Sequence, residues 1–171
     1  MASLDSIMKP RSIAVVGAST KPNTIGSDLL KRLIEYGFNG KIYPVNPKGG
    51  VIEGLTAYPS VLDIPGDVDL AIIVVKNTFV LSTIDQCHEK GITGLVVISA
   101  GFKETDEAGA ALEKELAAKV KAYGMRCVGP NCLGVVNTDP AVRMDGCFAE
   151  SLPQRGDIGF VSQSGALGGG S

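Results

Sequence analysis

Short apolar runs alternate with amphipathic segments along most of this chain, and that alternation constrains its fold more than any other feature. In order come SIAVVGA (Ser12 to Ala18), KIYPVNP, LAIIVV (Leu70 to Val75), GLVVISA (Gly94 to Ala100) and MRCVGP (Met125 to Pro130). The intervening segments have helical spacing. Ile25, Leu29, Leu33 and Ile34 share a face in a helix starting near Thr24 and ending at Gly37. Val80, Ile84, Cys87 and His88 do so over residues 78–90, before Gly91. Asp106 suits the N-cap of a third helix, in which Leu112, Leu116 and Val120 point one way while Glu115 and Lys119 pair on the other. A βαβα succession of this kind specifies an α/β fold, a Rossmann-like doubly wound parallel sheet covered on both faces. The glycines at 49, 50 and 54 read as turns leading into YPSVLDIP, and Asn131 to Gly156 reads as a connection. Residues 1–150 are therefore expected to form one domain. Residues 151–171 would hold a connection and the first strand and turn of a truncated second domain, the strand lying in DIGFVSQSG. Gly168 to Ser171 read equally as native chain or as an appended linker.

With 171 residues and 44% hydrophobic content the chain can bury one core of ordinary size. Its net charge of −2 and pI near 5.4 supply no general attraction to nucleic acid or to an anionic membrane, so an anion must be held by local features. Cys87, Cys127, Cys132 and Cys147 form no CxxC pair and have no histidine at ligand spacing. That pattern favours reduced thiols over a disulfide framework or a metal site. No run is long enough to span a bilayer, so a soluble, cytoplasmic protein is expected.

The first strand ends in VVGASTKPNTIG, residues 15–26, where a βαβ unit presents backbone N–H groups and a helix N-terminus to an anion. Gly17 fits that role. Ser19 and Pro22 stand where a dinucleotide fingerprint places its second and third glycines, and the next glycine is Gly26. The loop offers instead the hydroxyls of Ser19, Thr20 and Thr24, together with Lys21. A plain helix-entry turn would also use such residues. At the end of the second strand stand Asn46, Pro47 and Lys48, with no acid until Glu53 to meet a ribose diol. A lysine there suits a phosphorylated ribose, as in NADP or coenzyme A, or else it is a solvated turn residue. In SQSG, Ser162, Ser164 and Gly165 could form a phosphate nest or an ordinary turn into a helix.

The stretches KPRSIAVVGAS, GKIYPVNPKGGVIEGLTAYPSV, VDLAIIVV, ISAGFKE, GMRCVGPNCLGVVN and IGFVSQSGAL occur in order from Lys9 to Leu167. Together they resemble the CoA-binding domain of the NDP-forming (ADP-forming) acyl-CoA synthetases, the acetate–CoA ligases, which are related to the α subunit of succinyl-CoA synthetase. The resemblance implies a ligand, coenzyme A, and makes the truncated second domain a flavodoxin-like, succinyl-CoA-synthetase-like one. The loop from Gly17 through Ser19, Thr20, Lys21 and Pro22 to Gly26 would hold phosphate oxygens, and Lys48, beside Asn46, would sit near the adenosine 3′-phosphate. Val75, Ile98, Ser99 and Ala100 would lie against the ligand, with Pro130 and Asn131 bordering the crevice. Lys76 and Asn77 depart from the Pro-Ala pair usual in relatives, leaving that contact open, although Lys76 could meet a phosphate.

The family's reversible reaction converts acyl-CoA, phosphate and ADP into acid, CoA and ATP through an acyl phosphate and a phosphohistidine. An ATP-grasp domain or subunit, with ATP or ADP and Mg, completes the enzyme, which is expected to be oligomeric. His88, the single histidine, does not match the catalytic one, so no catalytic residue is assigned and binding without turnover is expected. Cys132 in GPNCLG has no basic partner in the sequence and suits packing better than nucleophilic chemistry. Two other readings stand beside the ligase: a regulatory CoA-binding domain of a protein lysine acetyltransferase, and an NAD(P)-binding redox domain. The second is disfavoured by the absent GxGxxG and the absent ribose acid.

Overall fold

The computed structural model describes residues 3–149 and 151–164. After a short helix α1 (Asp5–Met8) come β1 (Ser12–Val16), α2 (Ile25–Glu35) and β2 (Lys41–Val45). Two short strands follow, β3 (Gly50–Ile52) and β4 (Leu55–Ala57), then β5 (Leu70–Ile73), α3 (Asn77–Lys90), β6 (Gly94–Val97), α4 (Glu107–Ala122) and β7 (Arg126–Val128). The described elements end with β8 (Gly134–Asn137) and β9 (Met144–Cys147).

The five strands read from the apolar runs form one parallel sheet in the order β2-β1-β5-β6-β7. Counted along the chain this is 2-1-3-4-5, a doubly wound order whose direction reverses between β1 and β5. At such a reversal the connections leave to opposite faces, and a crevice opens beyond the carboxyl ends of the strands. Side chains alternate between the two faces. Ile13, Val15, Leu70, Ile72 and Val96 pack with Leu29, Leu30 and Leu33 of α2. Ala14, Val16, Ala71, Ile73, Leu95 and Val97 pack with Val80, Ile84 and Cys87 of α3 and Leu116 of α4. Thr24 caps α2 by accepting from the Ser27 N–H, and Asp106 caps α4 by accepting from Gly109 N–H at 2.8 Å.

Several expectations need correction. The glycine-marked stretch after β2 contains the β3–β4 hairpin, turned through Glu53 (φ 50°) and Gly54 (φ 77°). YPSVLDIP includes a 3-10 turn at Val61–Asp63. The expected connection after Asn131 contains a second hairpin, β8–β9, whose Met144, Asp145, Gly146 and Cys147 are all buried, with β9 lying against α2. On α2, Leu30 is buried whereas Ile25 and Ile34 remain exposed. Lys119 does not pair with Glu115: its Nζ reaches Asp85 of α3 at 2.7 Å, because packing α4 against α3 brings a carboxylate close. No strand forms among the described residues 151–164, where Ile158, Phe160 and Val161 are exposed with no neighbouring strand to pair them. No described helix is long and apolar enough to cross a membrane.

Candidate functional site

A cavity of about 510 Å³ lies beyond the carboxyl ends of β5, β6 and β7. Val74, Val75 and Lys76 enter it from the end of β5, Ile98, Ser99 and Ala100 from β6, and Asn131, Cys132 and Leu133 from the segment after β7. Ile25, the first residue of α2, and Phe148, just past β9, complete the wall. The surface is chiefly apolar, with few polar groups.

Cross-loop hydrogen bonds hold these strand ends together. Ser99 Oγ donates to the Val75 carbonyl at 2.6 Å, and Asn131 N–H donates to the Ser99 carbonyl at 3.0 Å. Asn77 Nδ2 donates to the Gly101 carbonyl at 2.7 Å, tying the start of α3 to the loop after β6. Glu104 accepts from the N–H groups of Gly101 and Phe102 at 2.5 and 3.1 Å. Partial burial works against its charged form, but those two N–H groups and its own amide outweigh it and hold the carboxyl below its usual range. Gly129 is needed for close approach, since a Cβ there would stand 2.2 Å from the Val97 carbonyl oxygen.

The loop between β1 and α2 adjoins this cavity through Ile25 and through its contact with Val74. Gly17 has φ 100°, its N–H donates to the Val45 carbonyl at 3.0 Å, and a Cβ on it would meet Val74 at 3.0 Å. A Cβ on Gly26 would stand 2.1 Å from the Gly17 carbonyl oxygen, so the loop and the first turn of α2 touch backbone to backbone. Two of the loop hydroxyls serve the loop itself. Ser19 Oγ accepts from Lys21 N–H at 3.0 Å, and Thr24 Oγ1 donates to the Lys21 carbonyl at 2.9 Å. Thr20, Lys21, Pro22 and Lys48 are exposed, and among the described residues the Thr20 hydroxyl and the two ammonium groups have no hydrogen-bond or ion-pair partner. Asn46 stands between loop and turn: its Nδ2 donates to the Ala18 carbonyl at 2.8 Å and its Oδ1 accepts from Lys48 N–H at 2.9 Å.

Of the residues singled out from the sequence, the cavity itself takes in Val75, Lys76, Ile98, Ser99, Ala100 and Asn131. Gly17, Ser19, Thr20, Lys21, Pro22 and Gly26 form the adjoining loop, and Asn46 and Lys48 the turn beside it; Pro130 precedes Asn131 at the rim. Ser162 and Ser164 are not brought to the crevice: exposed in the tail, they bond to each other, Ser162 Oγ donating to the Ser164 carbonyl at 3.0 Å. Gly165 lies outside the described residues. Sequence reasoning missed Ile25, Val74, Leu133 and Phe148. Ile25 carried a signal, as an apolar residue at the first helical position beside a phosphate loop, whereas Phe148 is brought in only by the β8–β9 hairpin.

The cysteines are free thiols. Burial pushes Cys87 and Cys127 up to about 12 and Cys132 and Cys147 up to about 11, so Cys132 meets the cavity as a neutral thiol, its Sγ 3.3 Å from the Val97 carbonyl. Among the described residues no three His, Cys, Asp or Glu side chains are grouped to hold a metal ion.

Residues 11–138 match the family described as "CoA binding domain". The chain is 48% identical to the acetate–CoA ligase [ADP-forming] II subunit alpha of Pyrococcus furiosus, over 98% of this chain and 36% of that one. It is 45% identical to the 4-hydroxybutyrate–CoA ligase [ADP-forming] of Nitrosopumilus maritimus, over 94% of this chain and 23% of the relative. Among solved structures, the dinucleotide-forming acetyl-coenzyme A synthetase 1 of Ca. Korarchaeum cryptofilum, in complex with phosphate and ADP, superposes with a TM-score of 0.90 at 44% identity. That match covers 98% of this chain and 35% of that one. The chain thus spans well under half the length of each of these relatives.

Proposed function

The chain belongs to the CoA binding domain family, and from that premise we propose that it is the CoA-binding module of an NDP-forming acyl-CoA synthetase. The observation that carries the reading is a cavity that the loop after β1 adjoins at Ile25 and Val74, giving a site with two chemistries. Its loop end has a helix N-terminus and the ammonium groups of Lys21 and Lys48, which have no partner among the described residues, suited to phosphates. Its cavity end is apolar and about 510 Å³, suited to an extended, weakly polar pantetheine arm. The residues present therefore fit coenzyme A.

In this reading Gly17 and Gly26 let the loop close on the diphosphate, which Ser19, Thr20, Lys21 and Pro22 surround. Lys48 meets the 3′-phosphate as a point charge. Val75, Ile98 and Ala100 flank the arm, Ser99 holds two strand ends in register, and Lys76, Pro130 and Asn131 stand at the rim. The complete protein would interconvert acyl-CoA, phosphate and ADP with acid, CoA and ATP, together with an ATP-grasp domain or subunit. Bound CoA supplies the thiol that accepts the acyl group; this module positions it. His88 does not serve as a phosphoryl carrier. It stacks on Tyr123, ring centroids 4.0 Å apart, in the last turn of α3, about 18 Å along that helix from the crevice end. Ser162, Ser164 and Gly165 would serve phosphate in the complete protein.

Calorimetry with CoA, dephospho-CoA, NADH and NADPH tests the reading. CoA is expected to bind about tenfold or more tightly than dephospho-CoA, and K48A to remove most of that preference while leaving dephospho-CoA binding nearly unchanged. Equal affinity of the wild type for CoA and dephospho-CoA would remove the role given to Lys48. Binding of a nicotinamide dinucleotide in place of CoA would overturn the reading as a whole.

A further inference from the structure

We infer that Asn46 is a positioning residue that couples the two phosphate-reading parts of the loop end, the loop after β1 and the turn that bears Lys48. The inference rests on the CoA reading above. Asn46 follows the last residue of β2, and its half-buried side chain reaches in two directions at once. Nδ2 donates to the carbonyl of Ala18, inside the phosphate loop, at 2.8 Å, while Oδ1 accepts from the backbone N–H of Lys48 at 2.9 Å. The backbone of Asn46 is fixed as well: its N–H donates to the Tyr58 carbonyl at 2.9 Å, and its carbonyl accepts from Gly49 N–H at 2.8 Å. One amide therefore joins the loop proposed to hold the diphosphate to the turn that presents the 3′-phosphate lysine.

The consequence concerns how Lys48 acts. A lysine on a free turn must be ordered by the ligand, and that ordering consumes part of what its charge contributes. With Lys48 N–H fixed by Asn46 Oδ1, the backbone from which the ammonium projects is set in advance. With Ala18 fixed by Nδ2, the same residue sets the spacing between the two phosphate positions. Asparagine suits this place because its short side chain both closes a turn onto the residue two further on and carries a separate donor. Serine can supply the turn acceptor but has no arm long enough to replace the link to Ala18.

The test is calorimetry of wild type, N46A, N46S and K48A with CoA and with dephospho-CoA, folding being verified by circular dichroism and thermal melting. Wild type is expected to prefer CoA about tenfold. N46A should reduce that preference to within about twofold although Lys48 is intact, and its effect on CoA binding should shrink in a K48A background, as expected for coupled residues. N46S should recover the preference while binding both ligands several-fold more weakly than wild type. A merely structural role would not produce this split between preference and affinity. Retention of the full preference by N46A, or the same loss in N46S as in N46A, would overturn the inference. Should N46A fail to fold, N46S decides alone, since wild-type affinity for both ligands would show that the link to Ala18 does nothing. Failure of the CoA reading is recognisable separately, as absence of CoA binding by the wild type.

Discussion

Each face of the sheet buries a hydrophobic cluster, and the two differ in how each handles its ion pair. On one face Arg32 of α2 meets Asp145 of β9 at 2.7 Å, with side chains 11% and 0% exposed. On the other, Lys119 of α4 meets Asp85 of α3 at the same 2.7 Å, with side chains 25% and 45% exposed. Equal distances conceal unequal energetics. A buried pair has surrendered its hydration, and its charges depend on partners inside the protein to offset that loss, here each other and, for Arg32, the Ser151 carbonyl as well. A half-solvated pair keeps water as an alternative partner, and its attraction is screened. The buried contact is an ion pair by distance without the alignment of a good hydrogen bond, and Asp145 Oδ1 also accepts from Cys147 Sγ at 3.0 Å. The α2 side of the molecule thus depends on a polar contact inside its packing, whereas the α3–α4 side wears its polar contact outside.

The sharpest way to break this contrast is D145A. It removes the carboxylate that faces the buried Arg32 guanidinium, whose Nη2 keeps its hydrogen bond to the Ser151 carbonyl at 2.5 Å, and should cost up to about 3 kcal/mol, read from urea unfolding, with a melting temperature lower by roughly 10 °C. A loss below about 1 kcal/mol would mean that the β8–β9 hairpin opens and lets Arg32 reach water. Next in size is a matched pair of cavity mutants, L33A beneath α2 and I84A beneath α3, both fully buried in the folded chain. Each should cost about 2–5 kcal/mol. Similar losses would locate the difference between the faces in the ion pairs. A much smaller loss for L33A would show that the hairpin side collapses into cavities that the two-helix side cannot fill.

What could be read from the sequence follows the same division. Leu70, Ala71, Ile72 and Ile73 of β5 and Leu95, Val96 and Val97 of β6 are buried on both faces, and continuous β-branched and aliphatic runs announce such strands. Val80, Ile84 and Cys87 on α3 were equally plain, since their burial follows helical spacing, whereas His88, expected on the same face, is exposed and stacks on Tyr123 of the neighbouring α4–β7 segment. The strand order 2-1-3-4-5 is a property of the assembled sheet that local spacing does not encode. The β8–β9 hairpin escaped because its strand MDGC carries an aspartate and a glycine, which read as loop until Arg32 of α2 is known to face them. The β3–β4 hairpin had a detectable signal: VIEGLTA places two short apolar strands around a two-residue turn closed by glycine. At the crevice, residues at strand ends were recoverable because doubly wound sheets bind ligands there. Phe148 was not, because the unrecognised hairpin carries it to the cavity.

The smallest effect belongs to the exposed pair, and it is the one that tests whether burial or mere pairing divides the faces. Asp85 accepts from Lys119 Nζ at 2.7 Å and from the Tyr123 hydroxyl at 2.7 Å. The Lys119 hydrogen bond first, and the Tyr123 hydroxyl second, hold its carboxyl below the ordinary aspartate value of 3.8. A folded-state value below the unfolded one stabilises the protein above the unfolded value, and that contribution disappears as pH falls through the folded one. D85N should therefore lower the melting temperature by no more than about 2 °C at neutral pH. The difference from wild type should close as the solution is acidified below pH 3.8. It should also shrink in about 1 M salt, where the screening length falls to about 3 Å. The cost of D145A should persist in the same salt, because a fully buried carboxylate is shielded from the ionic atmosphere. A D85N penalty as large and as salt-resistant as that of D145A would show that the hydrogen bonds Asp85 accepts from Lys119 and Tyr123, and not solvent access to the charges, set the worth of the outer pair.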